Sequence, residues 1–191
     1  MDHLLEKQGI GEYLDMSKRE IIFTNFTRLS SQELCQIHEW RNLDYIRENM
    51  DNSGVFSLDQ HLEFCKSLAS RKDKLYFQVK VDGDACAVID FVDIDFEKKS
   101  AEGGFYILKE YARNGYSISR CANTLCNSIG LKTIYTHVLK FNQKAVLYNL
   151  IKLKGHLLKE DENSVYFSFQ MYADNFQKDP FFKDHSCQII L

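Results

Sequence analysis

Apolar positions along the chain recur with period two in some stretches and with a period near 3.6 in others, and the switches between the two mark the elements. Glu20–Leu29 is rich in β-branched and aromatic residues and predicts a strand. Ser30 and Ser31 offer an N-cap, and Leu34, Ile37, His38 and Arg41 follow at helical spacing. Phe56–Leu68 places Leu58, Leu62, Cys65 and Leu68 on one helical face, with Ser57 as its cap. Leu75–Val81 alternates, Asp82–Asp84 reads as a hairpin turn, and Ala85–Asp95 returns. After the turn at Glu97–Ser100, Ala101–Leu108 predicts the next strand. Asn114–Gly130 is helical, with Ile118, Cys121, Ala122, Leu125 and Ile129 on one face and Gly130 suited to the C-terminal cap. Strand 133–139, helix 143–155 and strands 156–160 and 164–172 complete the series.

The order β-α-α-β-β-β-α-β-α-β-β mixes hairpins with crossovers. It predicts an α/β (α+β) domain, a mixed central sheet of about seven strands with helices on both faces. Residues 1–20 lack periodicity and are expected to be an N-terminal extension. The single domain is expected over 21–172, and 173–191, which hold the only proline, as a C-terminal tail.

Composition narrows the partners. The formal net charge is -3 across 191 residues, and no basic stripe is visible, which argues against nucleic acid. No apolar run reaches the length of a membrane span. The six cysteines form no CxxC pair and several fall on apolar helical positions. With no signal peptide in the first residues, they are expected to be reduced thiols of a cytoplasmic protein, and no metal site is expected.

Candidate chemistry sits at two helix starts. Arg113-Asn114-Gly115-Tyr116-Ser117 opens the helix after the strand that holds Phe105, Tyr106 and Ile107. Free N–H groups, a positive dipole end and a glycine suit a pyrophosphate there, with Arg113 and Arg120 adding charge. The same residues also read as an ordinary helix start capped by Asn114. Gly103 and Gly104 permit a bulge or a close backbone approach, or simply weaken an edge strand. Asn142, Ala145 and Tyr148 stand at spacings of three and three where a strand gives way to a helix.

These two junctions, "ARNGYS" and "NQKAVLY", resemble the GNAT N-acetyltransferase family over about residues 21–171. The resemblance implies a GNAT fold and acetyl-CoA as co-substrate. It implies that Asn142 contacts the acyl-CoA arm and that Tyr148 protonates the departing thiolate. Two departures stand out: Ser117 fills the last small position of the pyrophosphate loop, and the helix after Tyr148 runs long before Gly155.

"EWRNLDYIRENM", "QHLEF" and "VIDFVDI" are similar to the branch of that family that acetylates the 4-amino group of UDP-4-amino-4,6-dideoxy-N-acetyl-β-L-altrosamine in pseudaminic acid biosynthesis. The likeness implies that Arg41 and His61 contribute to a nucleotide-sugar site. Trp40 and Arg41 offer a ring to stack and a fork for phosphate, with Asn42 beside them. The alternative is a buried Trp with Arg at a helix end. Asp90, Asp93 and Glu102 are candidates for the base; His137 and His156 read as structural. Two other functions remain open: a protein N-terminal acetyltransferase, or a non-catalytic acyl-CoA-binding domain. A homodimer is compatible with all three.

Overall fold

The computed structural model describes residues 19–172 and 180–191. Residues 1–18 of the expected extension, and 173–179 of the expected tail, lie outside the described residues. The elements are β1 (Arg19–Asn25), α1 (Ser31–Arg41), α2 (Asp44–Arg47), α3 (Leu58–Ser67), β2 (Leu75–Val81), β3 (Asp84–Asp95), β4 (Ser100–Ile107), α4 (Gly115–Ser128), β5 (Thr133–Leu139), α5 (Gln143–Leu147), β6 (His156–Glu160), β7 (Ser164–Gln170) and β8 (His185–Ile190).

One mixed sheet carries the strands in the order β6-β7-β5-β4-β3-β2-β1-β8. It has eight strands rather than seven. The additional strand comes from the expected tail: β8 pairs in parallel with β1, from Arg19↔His185 to Thr24↔Ile190. Only a partner far away in sequence makes that stretch a strand. β1 is also shorter than its apolar pattern, because Asn25 accepts a hydrogen bond from Thr27 N–H (2.9 Å) and caps a 3-10 turn over Phe26–Arg28.

Local signals account for the rest. Asp82 and Gly83 take φ of 53° and 90°, the left-handed pair that a tight hairpin needs. Ser30 with Glu33, and Ser57 with Gln60, form capping boxes on α1 and α3. Gly130, at φ 84°, ends α4. On one face of the sheet α4 buries Ile118, Cys121 and Leu125 completely against Phe77, Ile89 and Phe91. Each such aliphatic side chain contributes about 1.5–3 kcal/mol. On the other face α1–α3 bury Ile37, Trp40, Ile46 and Cys65 with Phe26 and Val88.

The sheet opens at its centre. β4 and β5 are parallel but pair only over Ser100–Glu102 and Thr133–Tyr135. Beyond that point the two strands diverge, so the splay begins well before Asn142. The glycines of β4 create close approaches, not a bulge. A Cβ on Gly103 would meet Ile134 Cγ2 at 2.7 Å, and one on Gly104 would meet the Asp90 carboxylate at 2.5 Å. The register shift lies between Val92 and Asp95, around Asp93 at φ 51°.

Candidate active site

A cavity of about 1780 Å³ runs through the opening between β4 and β5 and reaches both faces of the sheet. Phe105, Tyr106 and Ile107 line it from β4, and Asn142, Ala145 and Tyr148 from beyond β5.

On the α4 side the central contact is between Tyr148 and α4. Its hydroxyl lies 2.8 Å from Ser119 Oγ, and a Cβ on Gly115 would lie 3.8 Å from it. Burial raises the Tyr148 pKa, while the Ser119 hydrogen bond works in the opposite direction. The phenol therefore stays neutral and holds its proton at neutral pH. Ser119 lines the cavity and went unnoticed in the sequence, where a lone helical serine has no mark. The long helix before Gly155 is absorbed by a π-turn over Tyr148–Lys152, with Leu153 N–H donating to Tyr148 O at 3.0 Å. That turn lets Gly155 land where a Cβ would strike the Phe169 ring at 2.6 Å. Asn142 caps α5, its Oδ1 accepting from Ala145 N–H at 3.2 Å.

The segment before α4 is a 3-10 turn over Lys109–Asn114 that runs straight into the helix at Gly115, which is helical. Tyr116 and Arg120 line the cavity. Arg113 is exposed, and Asn114 is buried. Asn114 occupies the N-cap position, yet its side chain does not cap α4. Its Oδ1 accepts instead from Arg19 Nη1 at 2.9 Å. Ser117 bonds to His185 Nε2 at 3.1 Å.

On the α1–α3 side, Tyr76, Asp90 and Gly104 form one row across β2, β3 and β4. Asp90 lines the cavity, and burial together with the charge of Glu102 pushes its carboxyl up to about 7. Arg41 also lines the cavity. Its Nη2 donates to Asn52 O at 2.6 Å and its guanidinium lies over the Phe56 ring at 5.1 Å. Arg41 Nη1 is buried with no hydrogen-bond partner among the described residues. Burial lowers its pKa.

His61 lines the cavity, but its Nε2 lies 3.0 Å from Leu34 O and 3.4 Å from Cys65 Sγ. Burial, then His38, lowers its pKa, so the ring is neutral at neutral pH and unsuited to hold phosphate as a cation. Trp40 is 7% exposed within the α1–α3 core, and its ring does not line the cavity. Asn42 pins the loop before α3, exchanging hydrogen bonds with the backbone of Phe56 (3.0 Å each). These three hold the wall that carries Arg41.

Asp93 is exposed at its bulge. Glu102 Oε1 accepts from His137 Nδ1 at 2.9 Å, and Asp51 accepts from His137 Nε2 at 2.9 Å. Both ring nitrogens of His137 thus face carboxylates. Burial alone would lower its pKa, but the Asp51 hydrogen bond and the Asp51 and Glu102 charges raise it overall. It thus ties β4, β5 and the loop before α3 together at the mouth of the opening. His156 is exposed and lines the cavity. None of the six cysteines is in a disulfide, and no group of three or more His, Cys, Asp or Glu among the described residues is arranged to hold a metal. No helix among the described residues is long and apolar enough to cross a membrane.

No family model matches the chain. Acetyltransferase PseH of Campylobacter jejuni is 32% identical over 145 residues, 75% of this chain and 88% of that protein. A second C. jejuni strain supplies the same enzyme at 30% identity over the same length. The crystal structure of C. jejuni N-acetyltransferase PseH in complex with acetyl coenzyme A superposes with a TM-score of 0.63 at 30% identity, covering 80% of this chain and 99% of that one. Spermidine N-acetyltransferase from Vibrio cholerae, in complex with CoA and spermine, has a TM-score of 0.65 at 19% identity over 79% of this chain and 95% of that one, and shares the fold alone. Sequence and architecture thus agree, and the chain belongs to the PseH acetyltransferase family.

Proposed function

We propose that this protein transfers the acetyl group of acetyl-CoA to the amino group of a nucleotide-activated amino sugar, the 4-amino group of UDP-4-amino-4,6-dideoxy-N-acetyl-β-L-altrosamine in pseudaminic acid biosynthesis. The observation that carries this reading is the opening between β4 and β5, which joins a proton donor on one side of the sheet to a base and an anion partner on the other.

The residues fit acetyl-CoA. The uncapped N-terminus of α4 suits its diphosphate. The β4 edge beyond Glu102, without a ladder partner toward β5 among the described residues, suits its amide-bearing arm. Bound there, acetyl-CoA supplies an activated thioester at the narrow part of the opening. Tyr148 donates its hydroxyl proton to the sulfur as the C–S bond breaks, and Ser119 Oγ–H supports the phenolate oxygen left behind. Asp90, with its carboxyl poised near neutrality, accepts the proton that the amine sheds as the N–C bond forms. Arg41 Nη1 takes a diphosphate oxygen of the sugar nucleotide, a buried donor finding its acceptor.

Purified protein incubated with acetyl-CoA and the UDP-amino sugar is expected to release free thiol and give the N-acetylated sugar by mass spectrometry. A peptide with a free N-terminus is expected to release none. Turnover of the peptide with none of the sugar would overturn the acceptor and favour the N-terminal acetyltransferase reading.

A further inference from the structure

The two glycines of β4 face opposite ways and make room for different groups. Gly103 makes way for Ile134, a packing contact between β4 and β5. Gly104 faces the α1–α3 side, in alternation with Glu102 and Tyr106. It lies within the strand and its φ is not positive, so conformation alone does not call for glycine. What fills the space is Asp90, its register partner on β3. A Cβ on Gly104 would lie 2.5 and 2.8 Å from the two carboxylate oxygens of Asp90 and 2.9 Å from its Cγ. Paired Cα atoms of antiparallel strands stand about 4.5–5.5 Å apart, so the carboxyl group has crossed the gap and lies on β4. The ladder from β4 to β5 ends at Glu102, two residues earlier. The carboxylate therefore stands at the rim of the opening. Lys74 and Tyr76 face it from the start of β2, and Glu102 and Tyr106 from β4. From α1 and α3, Arg41 and His61 line the same side. Glu102 is engaged by His137, and among the described residues no hydrogen bond holds the Asp90 carboxylate.

We infer that Gly104 is a positioning residue for the transfer: its missing side chain lets the Asp90 carboxylate cross from β3 onto β4 and meet the acceptor amine at the rim of the opening. This rests on the reading of Asp90 as the base proposed above. Non-bonded carbon atoms settle at about 3.5–4.0 Å, so even a methyl group at position 104 drives the carboxylate back over its own strand. A base must come within about 2.6–3.2 Å of the proton it takes. A retreat of about 1 Å is enough to remove it, since misplacement on that scale can cost roughly 10²-fold. The space above Gly104 is thus part of the acceptor site, although glycine offers the substrate no group of its own.

The test uses the full chain, acetyl-CoA with the UDP-amino sugar, and thermal melting. Gly104→Ala is expected to lower kcat/KM for the sugar by about ten-fold or more above pH 8 and to flatten the limb near pH 7. Asp90→Asn keeps the volume of the side chain and removes its basicity. Gly104→Ala is therefore expected to lower the melting temperature equally with Asp90 or with Asp90→Asn. Its effect on kcat/KM is expected only where the carboxylate is present, as a double-mutant cycle reads. Parental kcat/KM with an intact limb in Gly104→Ala, or the same loss of activity in both backgrounds, would overturn the inference while leaving Asp90 as the base. Should Gly104→Ala not fold, Asp90→Ala combined with Gly104→Asp roots a carboxylate on β4 itself. That pair is expected to exceed Asp90→Ala alone by about ten-fold in kcat/KM, and no gain would overturn the inference. If Asp90→Asn itself keeps the parental kcat/KM and limb, the base assignment fails and takes the inference with it.

Discussion

The two sides of the opening are built on opposite principles. On the α1–α3 side the helices close their own ends, with Ser30 and Glu33 on α1 and Ser57 and Gln60 on α3 in reciprocal boxes. The working groups there are side chains taken partly out of water. Asp90 is pushed up to about 7, Arg41 and His61 are shifted down by burial, and His137 is shifted up between two carboxylates. On the α4 side the helix grows directly out of a 3-10 turn, with no side-chain cap, and Asn114 bonds Arg19 instead. The groups facing the opening there are one phenol and one hydroxyl. A donor common to many enzymes needs a generic anion cradle, whereas an acceptor amine must be deprotonated, and that calls for perturbed side chains. The difference is what the proposed reading uses to place the acyl donor against α4 and the acceptor against α1–α3.

Each prediction strains this division. The largest effect is expected from Tyr148→Phe, which keeps the ring and removes the proton. kcat should fall by roughly 10²-fold or more, the scale of a lost general acid, with CoA affinity by calorimetry unchanged. Full kcat across pH would make Tyr148 a packing residue.

Asp90→Asn should lower kcat/KM by about 10²-fold above pH 8. In the unaltered protein kcat/KM should rise through about pH 7 as the carboxyl loses its proton, and this limb should vanish in the variant. The sign for stability is the reverse. A carboxyl whose folded pKa lies above its ordinary value of 3.8 favours the fold most at low pH, and this advantage is lost as pH rises toward 7. The melting temperature of Asp90→Asn at pH 8 should thus not fall below that of the parent, which separates lost chemistry from lost folding.

Arg41→Ala should raise KM for the sugar nucleotide about ten-fold and leave that for acetyl-CoA nearly unchanged. A selective rise for acetyl-CoA would exchange the two sides. Smallest is Ser57→Ala, which removes the oxygen that caps α3. It should cost about 1 kcal/mol of stability in denaturant unfolding and leave CoA affinity intact.

What the sequence determined by itself is whatever a few neighbouring residues decide. The apolar period marks β2, β3 and α4 to within a residue or two, because burial of one face leaves a trace at every second or every third and fourth position. Ser30 and Ser57 announce the starts of α1 and α3, and Asp82-Gly83 its hairpin, since caps and turns are closed by side chains within three residues. The junctions "ARNGYS" and "NQKAVLY" carried the family and with it Tyr148, "EWRNLDYIRENM" carried Arg41, and Asp90 was one of three base candidates; all three residues line one cavity. The tertiary structure alone decided what depends on distant partners. β8 exists because β1 offers it an edge, and its mixed apolar and polar residues state no period of their own. Ser119 matters only because the π-turn brings Tyr148 to it. His137 becomes a tie across the mouth of the opening only where Asp51 and Glu102 converge on it. Asn114 reads as a helix cap in any one-dimensional view and becomes something else when Arg19, 95 positions earlier, takes its oxygen. Local free energies select elements, but the competition for each polar atom is settled among whichever groups the topology brings within hydrogen-bond reach.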